Sequence, residues 1–415
     1  MVGCLKARLG AAGTGKTHKT KQDIGVLLTA STGIAALNLG DNARTINSVL
    51  NYFDTDDLQL QIDNGTVQNN LLKISSKHTG IAIDEASMTP GKQVDKLVWS
   101  ILNHNKVIAA SPKYSKKHNI LDFTLIGDIA QLGPVKEEHD PFFKAASWKY
   151  FDVEYLSEIK RQSDPEFIDK LNYIRYAKPK EVVDWFAANV GFEKEVDRDF
   201  KGPTVFPTNK EVDNYNFHKL SQIKAKSKTY YSEPNGITDR DWAKSIPESI
   251  TVKPGMRVMI LANNFDDGYA NGDLGLLVDC FPAGVMVKLD RDGRKVLVNY
   301  KTLLNSVISQ NKRTGEYVNK KIGSINYLPI RQGDSSSFHK NQGLTFDAMQ
   351  LVIENNFLAR LSGALYNGLT RVTSYQGLRI VGTKDQFIRA CYLNPMYLDY
   401  LLKLDSQSTN ELMAA

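Results

Sequence analysis

Cysteine is scarce in this 415-residue chain. Cys4, Cys280 and Cys391 stand far apart, with no C-x-x-C pair and no Cys/His ligand spacing. A disulfide framework and a structural zinc are thereby excluded, which suits a reducing compartment. Long hydrophobic runs are missing as well. The most apolar early stretch, IGVLLTASTGIAALNLG, is broken by Thr, Ser and Asn and follows no basic leader, so no membrane span is expected. Internal repeats and low-complexity segments are absent. Charge of one sign is in slight excess only: 52 Lys and Arg against 46 Asp and Glu give a formal +6. That is a mild bias toward polyanions and does not by itself indicate nucleic-acid binding.

What is present is an α/β rhythm. A hydrophobic content of 42% with 24% charged residues describes a globular chain, long enough for two to four domains. The apolar runs VLLTA (26–30), GIAID (80–84), DFTLIGD (122–128), TVFPTN (204–209), MQLVIE (349–354) and LRIVGT (378–383) read as buried parallel strands. SDPEFIDKLNYIRYAK (163–178) reads as a helix, with Phe167, Leu171 and Ile174 at helical spacing. Two regions break the rhythm. In LQLQIDNGTVQNNLLK (58–73) alternating residues flank Asn64-Gly65, which predicts a two-stranded hairpin. Residues 232–325 carry MRVMIL, GLLVDC and VMVKLD between Gly and Asp-Gly turns, which predicts a small inserted β-barrel. The polar tail LDSQSTNELMAA reads as frayed.

The chemistry starts at GAAGTGKT (10–17), which fits G-x-x-x-x-G-K-[ST]. Glycines let backbone N–H groups close on phosphate oxygens; Lys16 supplies a point charge and Thr17 a hydroxyl for Mg²⁺. GIAIDEAS (80–87) is an apolar strand ending in two acids. Asp84 suits a metal's shell, and Glu85 can orient and deprotonate attacking water. In FTLIGDIAQLGPV (123–135), Asp128 and Gln131 follow a third strand, where Gln131 can reach a terminal phosphate or its water. Arg161 in YLSEIKRQ and Arg371 in ALYNGLTRVTS sit where a second domain could offer an arginine to that phosphate.

Taken in order, GAAGTGKT, TASTGIAALNL, RTINSVL, IDEAS, GDIAQLGPV, IKRQ, FPTNKEVDNYN, SFHKNQGLTFD and LYNGLTRVTS resemble the motifs of superfamily 1 helicases. The resemblance is strongest to the branch with RecD-type, phage Dda-type and PIF-type enzymes, and it runs from about residue 10 to 383. It implies an α/β fold of two RecA-like parallel-sheet cores with a β-hairpin pin and an inserted SH3-like barrel. The implied division is 1–155 for the first core, with the pin at about 50–74; 156–231 and 326–390 for the second; 232–325 for the barrel; and 391–415 for a tail.

The implied activity is ATP-dependent unwinding of DNA with 5′→3′ translocation on a single strand, using ATP and Mg²⁺. Lys16, Asp84, Glu85, Gln131, Arg161 and Arg371 become the catalytic set. Gly10, Gly13, Thr14, Gly15, Lys16, Thr17 and Gly343 become nucleotide contacts, with Thr17 and Asp84 on the metal. Thr32, Thr45, Ser48, Thr208, Asn209 and His339 match strand-gripping positions; short hydroxyls and amides hold phosphates without reading sequence. Phe53 and Phe338 are available for base stacking.

Bulk properties and the compact build lead to the expectation of a monomer in a bacterial or phage-infected cytoplasm, with the choice among replication, recombination and repair left open by the sequence. Single-stranded DNA and its junctions are the expected partners, together with a single-strand-binding protein or replisome and recombination proteins. The N-terminus is short for the family: MVGCLKARL alone precedes the loop, and Lys6 and Arg8 occupy a strand position that is ordinarily apolar. Two alternatives therefore stand beside the helicase: a catalytically impaired DNA-binding subunit, and the helicase subunit of a RecD-like nuclease complex.

Overall fold

The computed structural model describes residues 3–414 except 41–42, 135–139, 157–158, 160–163, 237–245, 263, 265, 270, 311–316 and 355. Strands buried on both faces need continuous apolar runs, and all six expected strands form at their expected places. Leu5–Gly10 (β1), Val26–Ala30 (β2), Arg44–Thr45 (β3), Gly80–Asp84 (β4), Asp122–Gly127 (β5) and Asp152–Leu156 (β6) build one sheet, ordered β3-β2-β4-β5-β1-β6. Every pairing in it is parallel.

Arg8 explains itself in this setting. Its neighbours Ala7 and Leu9 are fully buried on the core face, while its own side chain points to the opposite face. There Nε donates to Glu154 of β6 (3.0 Å), and Nη1 donates to Asp23 (2.6 Å) and Thr20 (3.0 Å). A charged residue inside a parallel sheet is tolerated because carboxylates on two sides and a hydroxyl meet its fork.

The chain then enters a second sheet with Phe192–Glu193 (β7) and Thr204–Phe206 (β8) and leaves it for an insertion. The insertion's strands are Lys228–Tyr231 (β9), Glu233–Gly236 (β10), Ser249–Val252 (β11), Arg257–Ile260 (β12), Leu274–Phe281 (β13), Gly284–Leu289 (β14), Lys295–Asn299 (β15), Lys301–Gln310 (β16), Tyr317–Tyr327 (β17) and Ile330–Gln332 (β18). All their pairings are antiparallel. The five-stranded part runs β15-β14-β13-β12-β18 and buries its own apolar cluster, with Val258, Leu277, Val285 and Val287. Ser335–Ser337 (β19), Met349–Val352 (β20) and Leu378–Val381 (β21) complete the second parallel sheet, ordered β19-β8-β20-β21-β7.

Two expectations are corrected. The hairpin predicted around Asn64-Gly65 is helical: Thr55–Asp63 and Thr66–Ser75 are both α-helices. Asp54 caps the first, accepting from the N–H groups of Asp56 (3.0 Å) and Asp57 (2.9 Å). Val67, Leu71 and Ile74 are buried at intervals of four and three in the second helix, and in the first Leu58 is buried whereas Leu60 stands 59% exposed. Gly65 does take the positive φ (82°) that its dipeptide suggests, but as the joint between helices.

The tail is likewise no frayed end. Pro395–Ala414 is a helix whose Tyr397, Leu401 and Leu404 are buried in the main core. Tyr400 stacks on Phe143 at 4.5 Å, and the Trp148 indole N–H donates to its hydroxyl (2.6 Å). Burial of the two leucines stabilises this return onto the first sheet by roughly 3–6 kcal/mol.

Candidate functional site

Strand β1 delivers the glycine-rich loop at its carboxyl end, where open parallel sheets place ligands. A Cβ on Gly10 would meet the carbonyl oxygen of Leu156 at 2.2 Å, so only glycine lets the loop leave between β1 and β6. Gly13 (φ 82°) and Gly15 (φ 80°) adopt left-handed backbone, and the helix Lys16–Lys21 starts after them. Thr14 is buried inside the loop, its hydroxyl donating to the Ala11 carbonyl (2.9 Å). The Lys16 ammonium donates to the carbonyls of Gly10 (2.9 Å) and Ala11 (2.8 Å), and burial lowers its pKa.

Strands β4 and β5 bring the acids alongside. The Thr17 hydroxyl donates to Asp84 Oδ2 (2.9 Å), and the Glu85 N–H donates to Oδ1 (2.9 Å). Burial, then the charge of Glu85, pushes the Asp84 carboxyl up to about 6. Glu85 itself has φ 52°, a left-handed conformation that a non-glycine residue holds only when its surroundings impose it. The Ser31 hydroxyl, donating to the Glu85 carbonyl at 2.7 Å, is one of those restraints.

The cleft of about 360 Å³ is lined by Ala12, Gly13, Gly15, Lys16, Thr17, His18, Asp84, Glu85, Gly127, Asp128, Gln131 and Arg371. Five of the six expected catalytic residues therefore share one cavity; Arg161 lies outside the described residues. Gly10, Thr14 and Gly343 shape the backbone nearby and are not among the lining residues. Arg371 arrives from the second core, fully buried, with Nε donating to the Asn367 carbonyl (2.9 Å) and Nη1 to that of Leu344 (3.3 Å).

Four contributors escaped the sequence reading as site residues. Asp128, 1% exposed, accepts from Arg175 Nη2 (3.0 Å) and from the Tyr366 hydroxyl (3.1 Å). That same hydroxyl accepts from the Ala12 N–H of the phosphate loop (3.1 Å), so one tyrosine of the second core touches both. Burial alone would raise the Asp128 carboxyl, but Arg175 and then Lys16 outweigh it and hold its pKa below the usual range. Arg175 had a signal: it falls on the helix face of Leu171 and Ile174, where a charged residue needs a partner. Gln342 reaches Glu85 Oε2 with its amide N–H at 3.0 Å.

The strand-gripping candidates gather elsewhere. Thr32 follows β2 and Thr45 ends the neighbouring β3 at one margin of the first sheet, and Ser48 sits one turn after Thr45. Thr208, Asn209 and His339 follow β8 and β19 at one margin of the second. Thr32, Thr45 and Thr208 each cap a helix, their side chains accepting from the N–H of Ala35, Ser48 and Glu211. Asn209 is exposed, and His339 is partly buried, which lowers its pKa. Phe338 is fully buried and cannot stack a base; Phe53 is 52% exposed.

Two parallel-sheet cores and one shared cleft, with the phosphate loop on one side and an arginine from the other, define a P-loop NTPase of the two-core, RecA-like type. A Bacteroides Pif1 structure in complex with ADP-AlF4 has this fold: TM-score 0.73, 22% identity, covering 98% of this chain and 94% of that one. Residues 8–185 match the family model described as PIF1-like helicase. The ATP-dependent DNA helicase Pif1 of Bdellovibrio bacteriovorus is 27% identical over 391 residues, which is 90% of this chain and 83% of that protein. The ATP-dependent DNA helicase PIF1 of Xenopus laevis is 27% identical over 426 residues, 96% of this chain and 61% of its own length. Over residues 8–185 by the family model, and over most of its length by these relatives, the chain is thus similar to PIF-type helicases of superfamily 1.

Proposed function

We propose that the protein is an ATP-dependent DNA helicase that moves 5′→3′ on single-stranded DNA and parts the duplex as ATP is hydrolysed between its cores. The observation that carries this reading is the shared cleft: Lys16, Asp84, Glu85 and Gln131 of one core face Arg371 of the other. The names borne by the Bdellovibrio and Xenopus relatives support it. On this reading residues 1–155 are the first core, 156–231 with 326–390 the second, and 232–325 an SH3-like module. The protein works as a monomer, with a single-strand-binding protein or replication and recombination proteins as partners. Among the described residues no helix is long and apolar enough to cross a membrane.

The residues then take these roles. Lys16, bonded here to two loop carbonyls, exchanges them for phosphate oxygens, a stronger charge-assisted pairing. Thr17 and Asp84 form a hard oxygen pair suited to Mg²⁺ with phosphate oxygens as further ligands, and that ion would neutralise charge on the phosphates. Glu85 accepts the proton of the attacking water, and Gln131 orients that water. Arg371, and Arg161 outside the described residues, meet the charge developing on the transferred group. When phosphate leaves, that attraction between the cores goes with it. Thr32, Thr45, Ser48, Thr208, Asn209 and His339 hold the strand alternately as the cores close and part.

An unwinding assay on duplexes with a 5′ or a 3′ single-stranded tail, with and without ATP, tests the reading. Separation of the 5′-tailed substrate alone, dependent on ATP and lost in Lys16→Ala, is expected. Absence of ATP-dependent separation on both substrates would sink it.

A further inference from the structure

Gln342 has no part in the roles above, yet from the second core its side chain reaches Glu85, the proposed base, in the first. It is 4% exposed, and its amide N–H groups donate to Glu85 Oε2 (3.0 Å), Ser87 Oγ (3.4 Å) and Gln131 Oε1 (3.5 Å). The orientation of the amide follows from its partners, because a flip would set its oxygen against the Glu85 carboxylate. Its own Oε1 is buried without a donor. A buried acceptor left open carries a desolvation cost, which is recovered when a donor such as water arrives.

The segment around Gln342 is held by hydrogen bonds along its length. Its N–H donates to the His339 carbonyl (3.3 Å), Leu344 N–H to that of Asn341 (3.0 Å), and Phe346 N–H to that of Arg371 (2.7 Å). Asn341 Oδ1 accepts from the Ser336 hydroxyl (2.6 Å). One short turn therefore ties a proposed strand contact, His339, to a side chain on Glu85 and Gln131.

We propose that Gln342 is a positioning residue supplied across the cleft. It fixes Glu85 and Gln131 toward the attacking water, offers Oε1 to that water, and makes hydrolysis depend on the strand held near His339. In the step it serves, the water oxygen bonds to the γ-phosphorus while its proton passes to Glu85. The bond from phosphorus to the β–γ bridging oxygen breaks, and ADP leaves with that electron pair. This rests on the ATPase reading above.

The test compares Gln342→Ala and the near-isosteric Gln342→Met with the parent chain. Readouts are ATP turnover with and without single-stranded DNA, fluorescent-ADP affinity and DNA affinity. The expected result is a loss of about 10²-fold in DNA-stimulated kcat in both variants, with KM, ADP affinity and DNA affinity within about twofold. Parental turnover in Gln342→Met would show that the side chain only fills space, and overturns the proposal. Raised DNA-free turnover in either variant would make Gln342 a latch on Glu85 and overturns it equally. Lys16→Ala serves as the control: if it too hydrolyses ATP at the parental rate, the ATPase reading has failed and not this one.

Discussion

Replacing Arg175 by Met should unmask the cost of burying Asp128. The two side chains are 3% and 0% exposed and meet at 3.0 Å. Removing one partner of such a pair costs about 3–5 kcal/mol, since the other charge is left in a poor solvent. The lower end applies here, about 3 kcal/mol, because the Ala130 N–H (3.1 Å) and the Tyr366 hydroxyl (3.1 Å) still reach the carboxylate. The pH dependence gives the sharper signature. In the parent chain the Asp128 pKa is depressed, so its contribution is present above the unfolded value and lost as pH falls through the folded one. Without Arg175 burial prevails, the folded pKa rises above the unfolded value, and stability is lost as pH rises. The deficit should therefore be near 3 kcal/mol at pH 7.5 and shrink to roughly 1–2 kcal/mol at pH 4.5. Urea unfolding followed by tryptophan fluorescence measures it at each pH. Adding Asp128→Asn should restore most of the loss at pH 7.5, because the orphaned charge is then gone. A deficit under about 1 kcal/mol, or one equal at both pH values, refutes the reasoning.

Arg371→Ala should lower ATP turnover by about 10³-fold or more while fluorescent-ADP affinity stays within a few-fold, since in the role proposed for it Arg371 acts on charge that develops in the transition state. His104 is fully buried, accepts or donates at 3.1 Å with the Gln68 amide, and has its pKa lowered to about 4, by burial first and by His118 second. The unfolded chain takes up that proton below about pH 6.5, so stability should fall by about 2–3 kcal/mol between pH 6.5 and 4, and His104→Leu should flatten that slope in urea titrations. Gly65→Ala, at φ 82° with open space around it, should cost about 1 kcal/mol from backbone strain alone; a neutral result in thermal melts would count against the left-handed joint.

The parallel strands were legible because each is buried on both faces and leaves an unbroken apolar run, as in GIAID and DFTLIGD. The phosphate loop and the acids after β4 were legible because their chemistry permits few residue types. Residues 58–73 misled because Leu58, Leu60 and Ile62 alternate as a strand would. The cap at Asp54 and the exposure of Leu60 are what decide for a helix, and exposure is a tertiary fact. The C-terminal helix was hidden by reading its polar end alone, when Pro395 and the spacing of Tyr397, Leu401 and Leu404 begin the pattern earlier. Gln342 lies in the SFHKNQGLTFD stretch without a role assigned to it there; its meaning depends on Glu85, 257 residues away in sequence and 3.0 Å away in space.

The return of the C-terminal helix to Phe143 and Trp148 makes the chain pass between the cores twice, once after Leu156 and again before Pro395. A single tether would let one body swivel freely about the other. Two tethers define a line, and rotation about that line is the motion that stretches neither. On the proposed reading, opening and closing of the ATP cleft follows that rotation, and the proposed strand-holding margins travel with it.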